Sequence, residues 1–240
     1  MNLKLILKNE FISGRTTFDW FWLFIGCSIQ FLACIYGYIT NSLNNDIISI
    51  VCAFSGIFGM VFVAQGKIST YIFFNIQTIT YMIIVYKNKL WGEFFENIFY
   101  FFTQFPGIYI WYKNYKQRKE TKSIEISAKK LNKVGWIITS FYLIIGTFIL
   151  TIILNKTNDS LPFIDAVSTI PAFSAQMLLI FGYKEQWIHW LIINFTSAIM
   201  FLILKNWMMF AMFVFWTLNC IYGWFKWSNS VNYKKWEKIK

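Results

Sequence analysis

The stretch from Tyr183 to Asn194 reads Tyr-Lys-Glu-Gln-Trp-Ile-His-Trp-Leu-Ile-Ile-Asn and continues into apolar residues as far as Leu204. On a helix of 3.6 residues per turn, Trp187, Trp190 and Asn194 fall at i, i+3 and i+7, so two indoles and one carboxamide share a stripe. Two indoles offer flat π-faces to an aromatic or cationic ring, and the amide offers two donors and an acceptor to a small polar group. Tryptophans so spaced also serve as anchors at a membrane interface, which is the competing use of the same residues. His189 stands between them, but an i+2 offset turns it about 200° from Trp187, away from the stripe and from any expected proton relay.

The helix carrying this stripe belongs to a chain built for a bilayer. Of its 240 residues 57% are hydrophobic and 22% aromatic, and only 14% are charged, too few to cover a soluble domain. A mean hydropathy of +0.49 agrees. The net charge of +11 would suggest nucleic acid in a soluble protein. Here the lysines flank apolar runs, so they are expected to mark the cytoplasmic side of a membrane, and no nucleic-acid partner is expected. Cys27, Cys34, Cys52 and Cys220 all lie inside apolar runs without CxxC spacing, which argues against a disulfide framework and a zinc site. Lys4, Lys8, Glu10 and Arg15 interrupt the first 19 residues, and the apolar run after them has full spanning length, so no cleaved signal is expected.

The pattern predicts an all-α polytopic membrane protein of eight transmembrane helices, at about 18–40, 47–64, 68–86, 92–112, 135–154, 162–182, 187–205 and 207–226. The third is interrupted by Thr70, Asn75, Gln77, Thr78 and Thr80; polar groups at that depth normally face a bundle interior or a cavity. The connection from Lys113 to Lys133 carries eight basic residues and reads as a solvated loop. Assigned to alternate sides, 18 of the 22 Lys and Arg fall on the side of the two termini and that loop, and 4 on the other. Both termini are therefore expected in the cytoplasm.

Sliding the chain by 119 residues aligns Asp46, Ser49, Ala53, Phe54 and Ser55 with Asp165, Ser168, Ala172, Phe173 and Ser174, then Phe62 with Phe181 and Asn75 with Asn194. This register implies two parallel three-helix repeats joined by a linker helix, with one extra helix in front, a 1 + (3+1+3) plan. The segments are then 1–45 for the tail and extra helix, 46–112 for the first repeat, 113–160 for the basic loop and linker, 161–228 for the second repeat and 229–240 for a basic tail. The register sets Ile68, Tyr71 and Asn75 against Trp187, Trp190 and Asn194, so a site between the halves is expected. Gln104 and Asn219 would add amides from the third helices, as Gln77 would from the polar second helix, although helix packing is the default use of buried amides. No strong acid is expected deep in the spans: Glu93 and Glu96 are read near the outer end of the fourth helix, and Asp46 and Asp165 as caps at helix starts.

At these residues the chain resembles the PnuC family of nicotinamide riboside transporters, relatives of the SWEET sugar transporters. The resemblance rests on Trp187-x-x-Trp190 with Asn194, supported by Lys67-Ile-Ser-x-Tyr71, by Gln104-x-x-Gly107-x-x-x-Trp111 and by Leu218-Asn219, and covers about residues 46–228. It implies uptake of nicotinamide riboside, an NAD precursor, by facilitated diffusion across the bacterial inner membrane, with trapping by a cytosolic kinase. Trp187 and Trp190 would pack around the nicotinamide ring, Asn194 would bond it, and Gln104 and Asn219 would reach the ribose or the amide. Some relatives carry Asn at the place of Gln104, and Pro106 interrupts a segment expected to be regular.

A pyridinium suits two indoles on physical grounds as well, since a desolvated cation over Trp is worth roughly 2 kcal/mol. The same surface would accept thiamine or another cationic or aromatic vitamin. One His and no expected deep carboxylate pair make an enzyme a poor reading. A receptor or scaffold would have less use for amides buried in both halves. No cofactor or metal is expected, and a homo-oligomer is left open.

Overall fold

The fold is described from a computed structural model for residues 11–12, 15–40, 47–120 and 128–237. Among the described residues the chain forms eight helices: α1 Thr17–Ile39, α2 Ile47–Ala64, α3 Thr70–Lys87, α4 Trp91–Glu120, α5 Lys133–Leu154, α6 Pro162–Ile180, α7 Gln186–Ile203 and α8 Trp207–Glu237. Their starts follow from local chemistry. Thr16 and Asp19 form a capping box on α1, each side chain taking the other's backbone N–H, Asn132 caps α5 through Gly135 N at 2.7 Å, and Pro162 opens α6. Two boundaries move from those expected. α4 runs through Pro106 to Glu120 and α8 to Glu237, so part of the basic loop and much of the basic tail are helical. The expected capping role of Asp46 lies outside the described residues.

Among the described residues six helices are long and apolar enough to cross a membrane: α1, α2, α5, α6, α7 and the Trp207–Ser230 part of α8. The two that fall short, α3 and α4, turn their polar residues inward. Gln77, Thr78, Glu93, Glu96, Asn97 and Gln104 are buried, while Ile72, Ile79, Phe95 and Phe102 are exposed on the opposite faces. A polar stripe hidden among neighbours costs a spanning helix far less than one facing lipid.

The helices pack as a closed ring. α2 lies on α3, α3 on α4, α4 on α6, α6 on α7, α7 on α8 and α8 back on α2. α1 leans on α8 and α2 from outside, and α5 leans on α6. α1 is tied there by polar contacts: Lys226 Nζ donates to Asp19 Oδ1 at 2.9 Å, Tyr222 donates to the same oxygen, and Trp22 Nε1 donates to Asn219 Oδ1 at 2.8 Å.

The turns between helices come in matched pairs. Gly66 and Gly182 have φ of 69° and 76°, Lys89 and Lys205 have 54° and 55°, and each turn is closed by a six-residue bond of the Schellman kind. Lys67 N donates to Phe62 O and Tyr183 N to Leu178 O, while Leu90 N donates to Val85 O and Asn206 N to Phe201 O. All these partners stand 116 residues apart, which corrects the register of 119 read from the sequence. The physical reason is helical: a shift of three residues is about 300°, nearly a full turn, so an apolar helix matches itself almost as well at either spacing. In the corrected register Tyr71 is the counterpart of Trp187, not of Trp190, and Thr78 is the counterpart of Asn194.

Candidate functional site

A cavity lies inside the ring of six helices, and every one of them contributes to its wall. α3 supplies Tyr71, Phe74, Gln77, Thr78 and Tyr81, and α4 supplies Glu93, Glu96, Asn97, Tyr100 and Gln104. α7 adds Trp190, Ile193 and Asn194, and α8 adds Phe213 and Trp216. Met60 and Val63 of α2 and Gln176 and Leu179 of α6 complete it. No Lys, Arg or His is among the described residues that line the space, nor does any group of three His, Cys, Asp or Glu among the described residues stand ready to hold a metal ion.

Five of the eight residues singled out in the sequence line this cavity: Trp190, Asn194, Gln104, Tyr71 and Gln77. Gln104 spends its amide N–H on Thr78 Oγ1 at 3.0 Å and leaves Oε1 without a partner. Asn194 gives its N–H to the sulfur of Cys220 at 3.2 Å and leaves Oδ1 without one. Trp190 keeps its ring orientation through a 3.3 Å bond from Nε1 to Gln186 Oε1 and stands 5.8 Å, centroid to centroid, from Tyr100. Tyr71 is 1% exposed and its hydroxyl has no partner. Buried polar atoms left unpaired cost free energy, so a cluster of them around one space marks where a polar ligand or water belongs.

The other three lie elsewhere, which corrects the expectation of one continuous stripe. Trp187 is turned away from the cavity onto Gly223, where a Cβ would meet its ring at 2.5 Å, and against Trp227. Asn219 is consumed by the packing of α1, accepting from Trp22 and donating to Met60 O at 3.0 Å. Asn75 donates to Tyr71 O one turn back on its own helix at 2.7 Å. His189 is buried outside the cavity wall.

The acids also lie elsewhere than their place in the chain predicts. Glu93 and Glu96 are 1% and 2% exposed and line the cavity, against the expectation that no strong acid lies deep. A signal was present: residues 93, 96, 97, 100 and 104 fall on one face of α4, each polar, in a helix whose intervening positions are mostly Phe and Ile. Position near the start of the helix suggested the rim, but burial depends on what packs over it. Asp165 of α6 reaches across and accepts from Gly92 N and Glu93 N, each at 2.8 Å, while Asp159 accepts from Trp91 N at 2.8 Å. Asp165 thus does cap a helix, though α4 and not its own, and it presses the start of α4 into the ring.

Comparison with known proteins places the chain among membrane transporters. A sequence model of the nicotinamide mononucleotide transporter family matches residues 46–229. A protein of Haemophilus influenzae named nicotinamide riboside transporter PnuC is 30% identical over 232 residues, covering 96% of this chain and 98% of the relative. One of the same name from Neisseria mucosa is 29% identical over 231 residues, covering 93% and 86%. Among solved structures, the crystal structure of the vitamin B3 transporter PnuC superposes with a TM-score of 0.77 at 26% identity, covering 97% of this chain and 99% of the other.

Proposed function

The chain belongs to the nicotinamide mononucleotide transporter family, and we propose that it carries nicotinamide riboside across the bacterial cytoplasmic membrane through the cavity of the helix ring. The observation that carries this reading is the pairing of aromatic faces with unpartnered amide oxygens on one wall. Trp190, with Tyr100 beside it, offers π-surface to the ring, and Asn194 Oδ1 and Gln104 Oε1 are free to accept from the carboxamide and ribose hydroxyls. Gln77 and Tyr71 line the same space. Trp187, Asn75 and Asn219 act in packing under this reading and do not touch the substrate.

The riboside fits this wall better than its phosphorylated form. A phosphate needs basic side chains or a row of backbone N–H groups to replace its hydration, and the lining carries acids in place of bases. The names of the relatives in Haemophilus and Neisseria point the same way.

Transport is by facilitated diffusion, with both termini in the cytoplasm, a reading that the 18 to 4 division of basic residues supports, and a cytosolic kinase retains the product. Because Glu93 and Glu96 are buried in the wall, passive transport requires that neither changes its proton content between the outward and inward forms. Liposome uptake tests this. Labelled nicotinamide riboside should equilibrate and stop, with the same end point whether or not a proton or sodium gradient is imposed. Accumulation above equilibrium under such a gradient would contradict the passive reading.

A further inference from the structure

Two acids stand one turn apart on the cavity face of α4, and the protein uses them differently. Glu93 is consumed by its neighbours: Tyr81 Oη donates to Oε2 at 3.0 Å and Ser197 Oγ donates to Oε1 at 3.1 Å. Glu96 is as deeply buried, at 2% exposure; Tyr100 and Thr169 are its polar neighbours, and its Oε2 makes no direct hydrogen bond. The Tyr100 hydroxyl, one turn further along the same face, is also without one, and its ring is a neighbour of the Trp190 indole. An acid, a phenol and an indole are thus brought to one part of the wall, with no basic side chain among the described residues that line it.

A carboxyl group out of water without a partner is costly, and the ordinary structural solution is the one Glu93 displays. Glu96, on the same face of α4, lacks that solution at Oε2. A positive charge brought in on a flat ring that can lie against Trp190 would offset the burial of that carboxylate electrostatically. The geometry points to Glu96 as the group that reads the charge of the substrate, so that the cavity selects a pyridinium riboside over the same riboside with a neutral ring. The inference rests on the cavity being the nicotinamide riboside site. It goes further by assigning specificity for charge to one residue outside the tryptophan motif, and it separates that residue from its structural neighbour Glu93.

The test compares nicotinamide riboside with its 1,4-dihydro form, which keeps the ribose and carboxamide but has an uncharged ring. Both are titrated calorimetrically, at a mildly alkaline pH where the dihydro form is stable, into purified wild-type protein and into Glu96→Gln. The wild type should prefer the cation by about tenfold or more, the scale of one hydrogen bond or contact made to a charged group. Glu96→Gln should lose most of that preference while its affinity for the neutral riboside stays within about twofold, which also reports an intact fold. Should Glu96→Gln not fold, Glu96→Ala is read in the same way, and Glu96→Asp should retain the preference. Equal affinities in the wild type, or a preference that survives in Glu96→Gln, would overturn the assignment. So would equal weakening of both ligands, which would make Glu96 a partner of the ribose hydroxyls. If neither riboside binds the wild type, it is the reading of the cavity that fails.

Discussion

Trp187 stands edge-on to Trp227, with ring centroids 5.9 Å apart and planes at 82°. That contact continues into a buried aromatic cluster, since Trp227 lies 6.2 Å from Trp111 and Trp111 lies 5.4 Å from Tyr71. The cluster draws one ring from each of α3, α4, α7 and α8. Its members pair at the same 116-residue spacing as the turns, Tyr71 with Trp187 and Trp111 with Trp227. The two tryptophans of the Trp-x-x-Trp motif therefore divide their labour: Trp187 locks helices together, and Trp190 faces the cavity.

This division separates two substitutions that look alike in sequence. Trp190→Ala should weaken nicotinamide riboside binding by roughly 1 to 3 kcal/mol, with Trp190→Phe losing less because it keeps a π-face. Trp187→Ala should act mainly on stability, by roughly 3 to 5 kcal/mol, as for an aromatic removed from a core. Thermal unfolding and binding measured on the same preparations distinguish them. A stable Trp187→Ala protein with lost binding would return that indole to the substrate site.

Gly223 is held small by the same ring. A Cβ there would lie 2.5 Å from Trp187 Cζ2, and neither the helix nor the buried indole has room to give. Gly223→Ala should lower stability by roughly 1 to 3 kcal/mol, the cost of overpacking. Adding Trp187→Phe should recover part of the loss, and a melting curve of the pair that merely sums the single effects would argue against direct contact. Gly107, whose Cβ would meet the Tyr71 ring at 2.8 Å, is expected to behave in the same way.

The 18 to 4 division of basic residues predicts the orientation, which can be read with reporters fused at Lys240 and near Lys122. Both should report the cytoplasmic side. An external signal from Lys240 would remove the even number of crossings on which the 18 to 4 division depends.

Much of this architecture was legible in the residues, because apolar length and clustered charge are direct consequences of a hydrocarbon solvent. The eight helices, the polar face of α3 and the common face of Trp190 and Asn194 follow from spacing along each helix. What spacing could not decide was which neighbour covers each face. Asn219 has the same chemistry as Asn194, and only the packing of α1 consumes it. Trp187 lies one turn from Trp190, about 60° round the helix, and that offset suffices to send its ring to α8. Glu93 and Glu96 open their helix, which on position alone puts them at a rim, while Asp165, far along the chain, supplies the cap that lets that opening be buried. Pro106 breaks nothing, since its missing N–H costs one backbone bond within an otherwise continuous α4.

The central claim is that the wall formed by Trp190, Asn194 and Gln104 binds the ring and carboxamide of nicotinamide riboside. Its most direct measurement is a calorimetric titration of purified wild-type protein and Asn194→Leu with nicotinamide riboside, with its analogue lacking the carboxamide, and with thiamine and riboflavin. The expected result is saturable binding of nicotinamide riboside by the wild type in preference to the other three. Asn194→Leu should bind it more weakly and distinguish it less well from the analogue, because the amide has lost a partner at that oxygen. Preference of the wild type for thiamine or riboflavin, or an Asn194→Leu protein that binds and discriminates as the wild type does, would contradict the claim.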